Sequence, residues 1–162
     1  MLRTARRSAK RMKGFTIIEL MVTLTIFAAL IAAALPAYND FVRNQRVKTA
    51  SFDLFSSLVQ ARSEALTRNT TVTVTPLSGT NDWALGWEVK AGTLLLRRQD
   101  ALPNITMAGS PDPVTSISFN GSGRISAALT RGIQISATGT SITMRCIKID
   151  TSGRPLTKAE AC

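Results

Sequence analysis

Histidine is missing from all 162 residues of this chain, and cysteine occurs only twice, at Cys146 and Cys162. The first absence removes the commonest general base and the commonest metal ligand of catalytic sites. Serines, threonines and ten carboxylates remain, but no base is available to activate a nucleophile. Gly121-Ser122-Gly123 is too short for a phosphate cradle and lacks the strand–loop–helix setting one requires. No cofactor is implied, and the chain reads as non-enzymatic. Charge is missing from one long stretch, because nothing ionisable lies between Glu19 and Asp40 except Tyr38. Glycine and proline are missing from another, Asp40 to Arg68. No repeat and no low-complexity tract is evident.

What charge there is lies unevenly. The chain has 20 Lys and Arg against 10 Asp and Glu, a net +10. Six of the cations (Arg3, Arg6, Arg7, Lys10, Arg11 and Lys13) sit in residues 1–14 with no acid, so removing that leader leaves +4. The high pI is therefore mostly leader and is no nucleic-acid signal. A basic flank stays cytoplasmic, which sends residues 41–162 outside. The uncharged run 20–39 spans about 30 Å as a helix, the thickness of a bilayer's hydrocarbon core. Pro36 near its outer end is expected to kink or loosen the helix, and Tyr38 follows at the depth of an interfacial aromatic. Glu19, a lone acid at the entrance, is costly there and so marks a task.

The helical pattern continues past residue 40. Phe41, Leu54, Leu58, Ala61 and Ala65 recur at helical spacing, with Phe52, Phe55 and Val59 beside them. One helix is predicted from about residue 16 to about 68, apolar all round in its first half and amphipathic in its second. It ends near Asn69-Thr70-Thr71. Strands are predicted at 71–75, 84–89, 93–98, 116–119, 132–136 and 141–149, with a hairpin turn at Lys90-Ala91-Gly92 and a loop from Pro103 to Pro113. Trp83 and Trp87, four apart, would share one strand face. The fold class is α+β, with four segments: leader 1–14, apolar helix 15–40, amphipathic helix 41–69 and β-rich domain 70–162.

Two readings of the N-terminus compete. A secretory signal peptide would be cut near Ala32-Ala33-Ala34 or Ala37, leaving a soluble domain that begins near Leu35 or Tyr38. Glu19 inside the apolar region and the unbroken helix beyond residue 40 argue against it. Gly14, Phe15, Thr16, Glu19 and Pro36 instead resemble the class III signal of type IV prepilins. That resemblance implies cleavage between Gly14 and Phe15 and N-methylation of Phe15, both by a membrane prepilin peptidase/methyltransferase. It also implies that Glu19 neutralises the freed amine of a neighbouring subunit, since a carboxylate in a low-dielectric bundle needs a cation. Thr23, Thr25, Ala28, Ala29, Ala32 and Ala33 suit close helix packing. The subunit would wait in inner-membrane lipid, single-pass, with its C-terminal domain periplasmic, before joining other pilins.

Further motifs narrow the resemblance. Ser63-Glu64-Ala65-Leu66-Thr67-Arg68-Asn69, Trp83-Ala84-Leu85-Gly86-Trp87, Phe119-Asn120-Gly121-Ser122-Gly123-Arg124 and Cys146 through Pro155 look like the GspH/FimT family of minor pilins and pseudopilins. Residues 13–162 are covered almost throughout. The type IV pilin fold is then expected, in a minor pilin that initiates or caps a pilus, with a type II secretion pseudopilin as the alternative. Some FimT-like pilins take up DNA through a C-terminal Gly-Arg-x-Arg motif. Here the matching positions are Gly153, Arg154, Pro155 and Leu156, so the second arginine is missing. Arg145, Lys148, Arg154 and Lys158 could form a small, salt-sensitive patch for DNA, or Gly153-Arg154-Pro155 could be an ordinary turn. Cys146 and Cys162 pair most readily in an exported domain, closing the last 17 residues into a loop worth about 3 kcal/mol. Free thiols or a metal site are the alternatives, and metal has too few ligands here.

Overall fold

The computed structural model describes residues 14–125, 132–139 and 141–162. The basic leader up to Lys13 lies outside the described residues. The chain divides into two units at Tyr38/Asn39. A single helix, α1 (Ile17–Arg68), contributes to both.

In the first unit every described residue from Gly14 onward is exposed. The window that qualifies α1 as a candidate membrane span has mean hydropathy 2.4 and none of it is buried. Its two threonines bond back to the helix, Thr23 Oγ1 donating to the Leu20 carbonyl (2.9 Å) and Thr25 Oγ1 to that of Val22 (2.8 Å). Those hydroxyls therefore need no water, which lets them lie in hydrocarbon. Pro36 lies inside α1 and the helix continues through it.

The second unit carries two antiparallel four-stranded sheets. The first, in the order β3-β2-β1-β5, uses β1 (Val72–Pro76), β2 (Trp87–Ala91), β3 (Leu94–Gln99) and β5 (Ile117–Phe119). The second, β4-β6-β7-β8, uses β4 (Thr106–Ser110), β6 (Gly132–Ser136), β7 (Arg145–Ile149) and β8 (Pro155–Lys158). Alternation puts Val72, Val74, Trp87, Val89, Ile117 and Phe119 of one sheet, and Met107, Ile133, Ile135, Ile147 and Ile149 of the other, into a single core with Val47, Leu54, Leu58, Ala61 and Ala65 of α1. Both tryptophans are fully buried with their N–H groups satisfied. Trp83 donates to the Val114 carbonyl (2.7 Å) and Trp87 to Ser57 Oγ (3.0 Å). Ser57 is thus a hydroxyl that the helix buries because an indole needs it.

Several expectations need correction. Trp83 is not on a strand with Trp87. Trp83–Leu85 form a 3-10 turn capped by Asp82, whose carboxylate accepts from the Ala84 amide (3.0 Å). Gly86 at φ +97 then re-aims the chain into β2. The expected Pro103–Pro113 loop contains β4, paired along its length with β6. The hairpin turns at Gly92-Thr93 instead of Lys90-Ala91-Gly92, the strand expected at 141–149 is β7, which starts only at Arg145, and β8 beyond it was not expected. The helical stripe also divides: Leu54, Leu58, Ala61 and Ala65 are buried, whereas Phe41, Phe52 and Val59 are exposed.

Candidate functional site

Residues 14–19 form the head of α1. A Cβ on Gly14 would meet nothing within 4 Å, and Phe15 is 86 % exposed, so the peptide between them is open. Thr16 then caps the helix. Its backbone N–H and its hydroxyl both donate to Glu19 Oε2 (3.1 Å each), and its Oγ1 accepts from the Glu19 amide (3.2 Å). This is a capping box, Thr-x-x-Glu, in which two otherwise unpaired helix-end donors are satisfied reciprocally. Such a cap contributes about 1 kcal/mol. The sequence pattern was legible, yet reading Glu19 only through its burial cost hid this local role. Oε1 takes no hydrogen bond among the described residues.

At the other end of the chain the disulfide Cys146–Cys162 joins β7 to the C-terminal residues. At the opposite end of β7 lie two turns with one shared design. In Asn120-Gly121-Ser122-Gly123-Arg124, Asn120 Oδ1 accepts from Ser122 N, Ser122 Oγ and Arg124 N (3.1, 2.8 and 2.9 Å). In Asp150-Thr151-Ser152-Gly153-Arg154, Asp150 Oδ1 accepts from Ser152 Oγ (2.6 Å) and Arg154 N (2.8 Å). Each turn closes with the same two backbone bonds, and each needs a left-handed glycine, Gly123 at φ +71 and Gly153 at φ +81. The turns touch, since a Cβ on Gly153 would come within 2.1 Å of the Gly123 carbonyl oxygen. Arg62 of α1 grips both, Nε donating to the Gly123 carbonyl (3.0 Å) and Nη2 to that of Ser152 (3.2 Å). The Ser152 hydroxyl, followed by the Arg154 amide, holds the Asp150 carboxyl below its ordinary range. This five-residue repeat went unnoticed in the sequence because it is short and its first two positions differ.

Of the four cations singled out for DNA, strand alternation sets Lys148 and Lys158 on one face of the β7–β8 pair and Arg145 on the other. Arg145 lines a groove against α1 with Lys48. Lys148 stands opposite Leu156, and Lys158 is ion-paired with Glu160 (3.3 Å) at the end of the β7–β8 pair remote from the turn. Arg154 is exposed at the turn, and its neighbour Gly153 lies against the backbone of Gly123 and Arg124, the latter exposed as well.

A long N-terminal helix opening on Gly-Phe-Thr-x-x-Glu and packed beyond its apolar half against antiparallel sheets defines a type IV pilin-like protein. The family described as Type II transport protein GspH matches residues 50–153, and the prokaryotic N-terminal methylation motif matches residues 9–35. The chain belongs to the GspH family. The type IV major alpha-pilin of Moraxella bovis is 32% identical over 117 residues, 72% of this chain and 68% of that protein. The fimbrial protein EcpC of Eikenella corrodens is 46% identical over 52 residues, 32% of this chain and 33% of that protein. The crystal structure of the type IV minor pilin FimU of Pseudomonas aeruginosa shares the fold, with TM-score 0.65 at 22% identity over 75% of this chain and 96% of that one.

Proposed function

We propose that this chain is a minor pilin, a structural subunit that helps to initiate or cap a type IV pilus. The carrying observation is the head of α1, where an open Gly14–Phe15 peptide precedes a capped carboxylate and a fully exposed apolar helix. In this reading prepilin peptidase removes residues 1–14 and methylates Phe15. The subunit then waits in the inner membrane with its β-domain in the periplasm. Extraction into the filament core brings Glu19 to the amine of a neighbouring subunit. N-terminal sequencing of the mature protein tests the first step, and a start near Leu35 or Tyr38 would overturn it. Glu19→Ala tests the second: it should be processed but poorly incorporated.

The family description favours a second reading, a type II secretion pseudopilin with the same anchor in another machine. The genes beside this one discriminate the two. The paired arginine turns favour a third property, weak DNA capture at Arg124 and Arg154. It calls for a salt-dependent affinity of the soluble unit that falls on replacing both arginines, and a flat titration at low salt refutes it.

A further inference from the structure

We propose that the groove between α1 and the loop before β4 holds the headgroup of an anionic phospholipid, with Arg46 as the cation that selects it. The inference rests on the membrane-anchored reading above and deepens it by naming a lipid class and the residue that reads it. The groove lies wholly in the second unit. It encloses about 390 Å³, with Phe41, Val42 and Arg46 of α1 on one side and Leu102, Pro103 and Ile105 on the other. That is within the range of sites that take small molecules. Both walls are fixed. Val42, Gln45, Arg46 and Thr49 share one helix face, at spacings of three, four and seven. Across from them the Leu102 amide donates to the Ala84 carbonyl (2.8 Å), and Leu102 and Ile105 pack against the core.

Position along the chain points to a lipid. The uncharged run ends at Asn39, and its length matches the hydrocarbon core. The headgroup layer adds about 5–7 Å on each side. Along the helix axis the Cα atoms of Phe41 and Val42 fall about 3–5 Å past the run, and that of Arg46 about 10 Å past it. Side chains on a helix lean towards its N-terminus, so the Arg46 guanidinium reaches back into the headgroup layer while its stem lies along the apolar wall. The apolar lining carries on directly from the apolar run, which suits the glycerol and first acyl carbons of a lipid.

Charge selects the headgroup. Arg43 and Asn44 in the same turn are already engaged by their own unit. Arg43 Nη1 donates to the Thr138 carbonyl (2.7 Å) and Asn44 Nδ2 to that of Ser141 (2.9 Å), while Asn44 Oδ1 accepts from the Thr143 amide (2.9 Å). Arg46 is exposed and makes no hydrogen bond or ion pair among the described residues. Among those residues no carboxylate lines the groove. Asp40, the acid at this level, stands about 120° round the helix from Arg46. An open cation above an apolar floor at headgroup depth favours a phosphodiester of net negative charge over a zwitterionic one.

The test uses the full-length chain in vesicles of three parts phosphatidylcholine to one part phosphatidylglycerol. A photo-crosslinking side chain is placed at position 103, in the groove, or at 27, in the apolar run, and lipid adducts are identified by mass spectrometry. The ratio of phosphatidylglycerol to phosphatidylcholine adducts should be about fivefold higher at 103 than at 27, the effect of one arginine at an anionic surface. Taking 27 as reference cancels any attraction of anionic lipid by the cations of the leader. Arg46→Gln should remove the enrichment and Arg46→Lys should keep it. Equal ratios at the two positions overturn the proposal. Enrichment indifferent to Arg46→Gln overturns the selecting role of the arginine. Enrichment abolished by inorganic phosphate at constant ionic strength assigns the groove to a free anion and overturns the lipid. Lipid adducts at 27 with none at 103 overturn the groove and leave the anchored reading standing. Absence of lipid adducts at both positions overturns the two together.

Discussion

Replacing Arg62 with methionine should loosen both twin turns at once. The substitution keeps an unbranched stem of similar volume and deletes only the guanidinium, so packing changes little. Two charge-assisted bonds are lost, to the carbonyls of Gly123 and Ser152. A hydrogen bond from a charged donor contributes about 1.5–3 kcal/mol, and the Ser152 end is exposed and so screened towards zero. The expected loss is about 2 kcal/mol, or a fall in Tm of about 6–10 °C for a unit of this size. Circular dichroism melts of a chain beginning at residue 39 measure it. Amide exchange locates it: the Gly123 and Gly153 amides, bonded to the carbonyls of Asn120 and Asp150, should exchange faster while the β1–β2 amides do not. A Tm within 1–2 °C of wild type, or faster exchange in only one turn, would refute the claim that Arg62 holds them jointly.

Three further outcomes are expected. Ser57→Ala strands the buried Trp87 N–H and should destabilise by about 1–3 kcal/mol, whereas Val59→Ala, on the exposed face, should change chemical-denaturation midpoints little. Gly132→Ala places a Cβ 2.6 Å from both disulfide sulfurs and 2.9 Å from the Ile147 carbonyl oxygen, so it should lower both the Tm and the yield of oxidised protein in a thiol-trapping assay. Hydrogen bonds from the Ser152 hydroxyl and the Arg154 amide hold the Asp150 carboxyl below its ordinary pKa of 3.8. Its stabilisation is complete above that value and disappears as pH falls through the folded pKa, so the stability gap between wild type and Asp150→Asn should narrow below about pH 3.8 in acid titrations.

The long helix was legible almost to the residue, because an uncharged run followed by 29 residues free of glycine and proline admits little else. The direction of its amphipathic half was not. α1 has two apolar faces, one of leucine and alanine and one of phenylalanine and valine, and periodicity alone does not say which meets the sheets. Close approach to two sheets favours the small residues, and that is a tertiary fact. β4 was hidden because Pro103, Gly109, Pro111 and Pro113 punctuate its surroundings, while its existence depends on β6, more than twenty residues later. Trp83 was misplaced because a strand pattern and a capped 3-10 turn share the same aromatic spacing, and only Asp82 and Gly86 separate them. The disulfide partners were legible by count. The placement of Arg145, Lys148, Arg154 and Lys158 was not, since it depends on β8, whose pairing sets Lys148 and Lys158 on one face and leaves Arg154 at the turn.

The bond between Thr16 and Glu19 changes what filament assembly has to accomplish. A carboxylate with no partner would make the membrane-resident subunit a high-energy species, and any passing amine would rescue it. Here Oε2 already holds two donors of its own chain, and in the proposed filament Oε1 is the oxygen left for a neighbouring subunit's amine. On the proposed filament reading, Glu19 of the resting subunit is already capped, and its own contribution to incorporation is the difference between that cap and an ion pair. A trans partner must outcompete or share with Thr16, so removing the threonine hydroxyl, as in Thr16→Val, should leave the carboxylate more needy and tilt the exchange towards the neighbour.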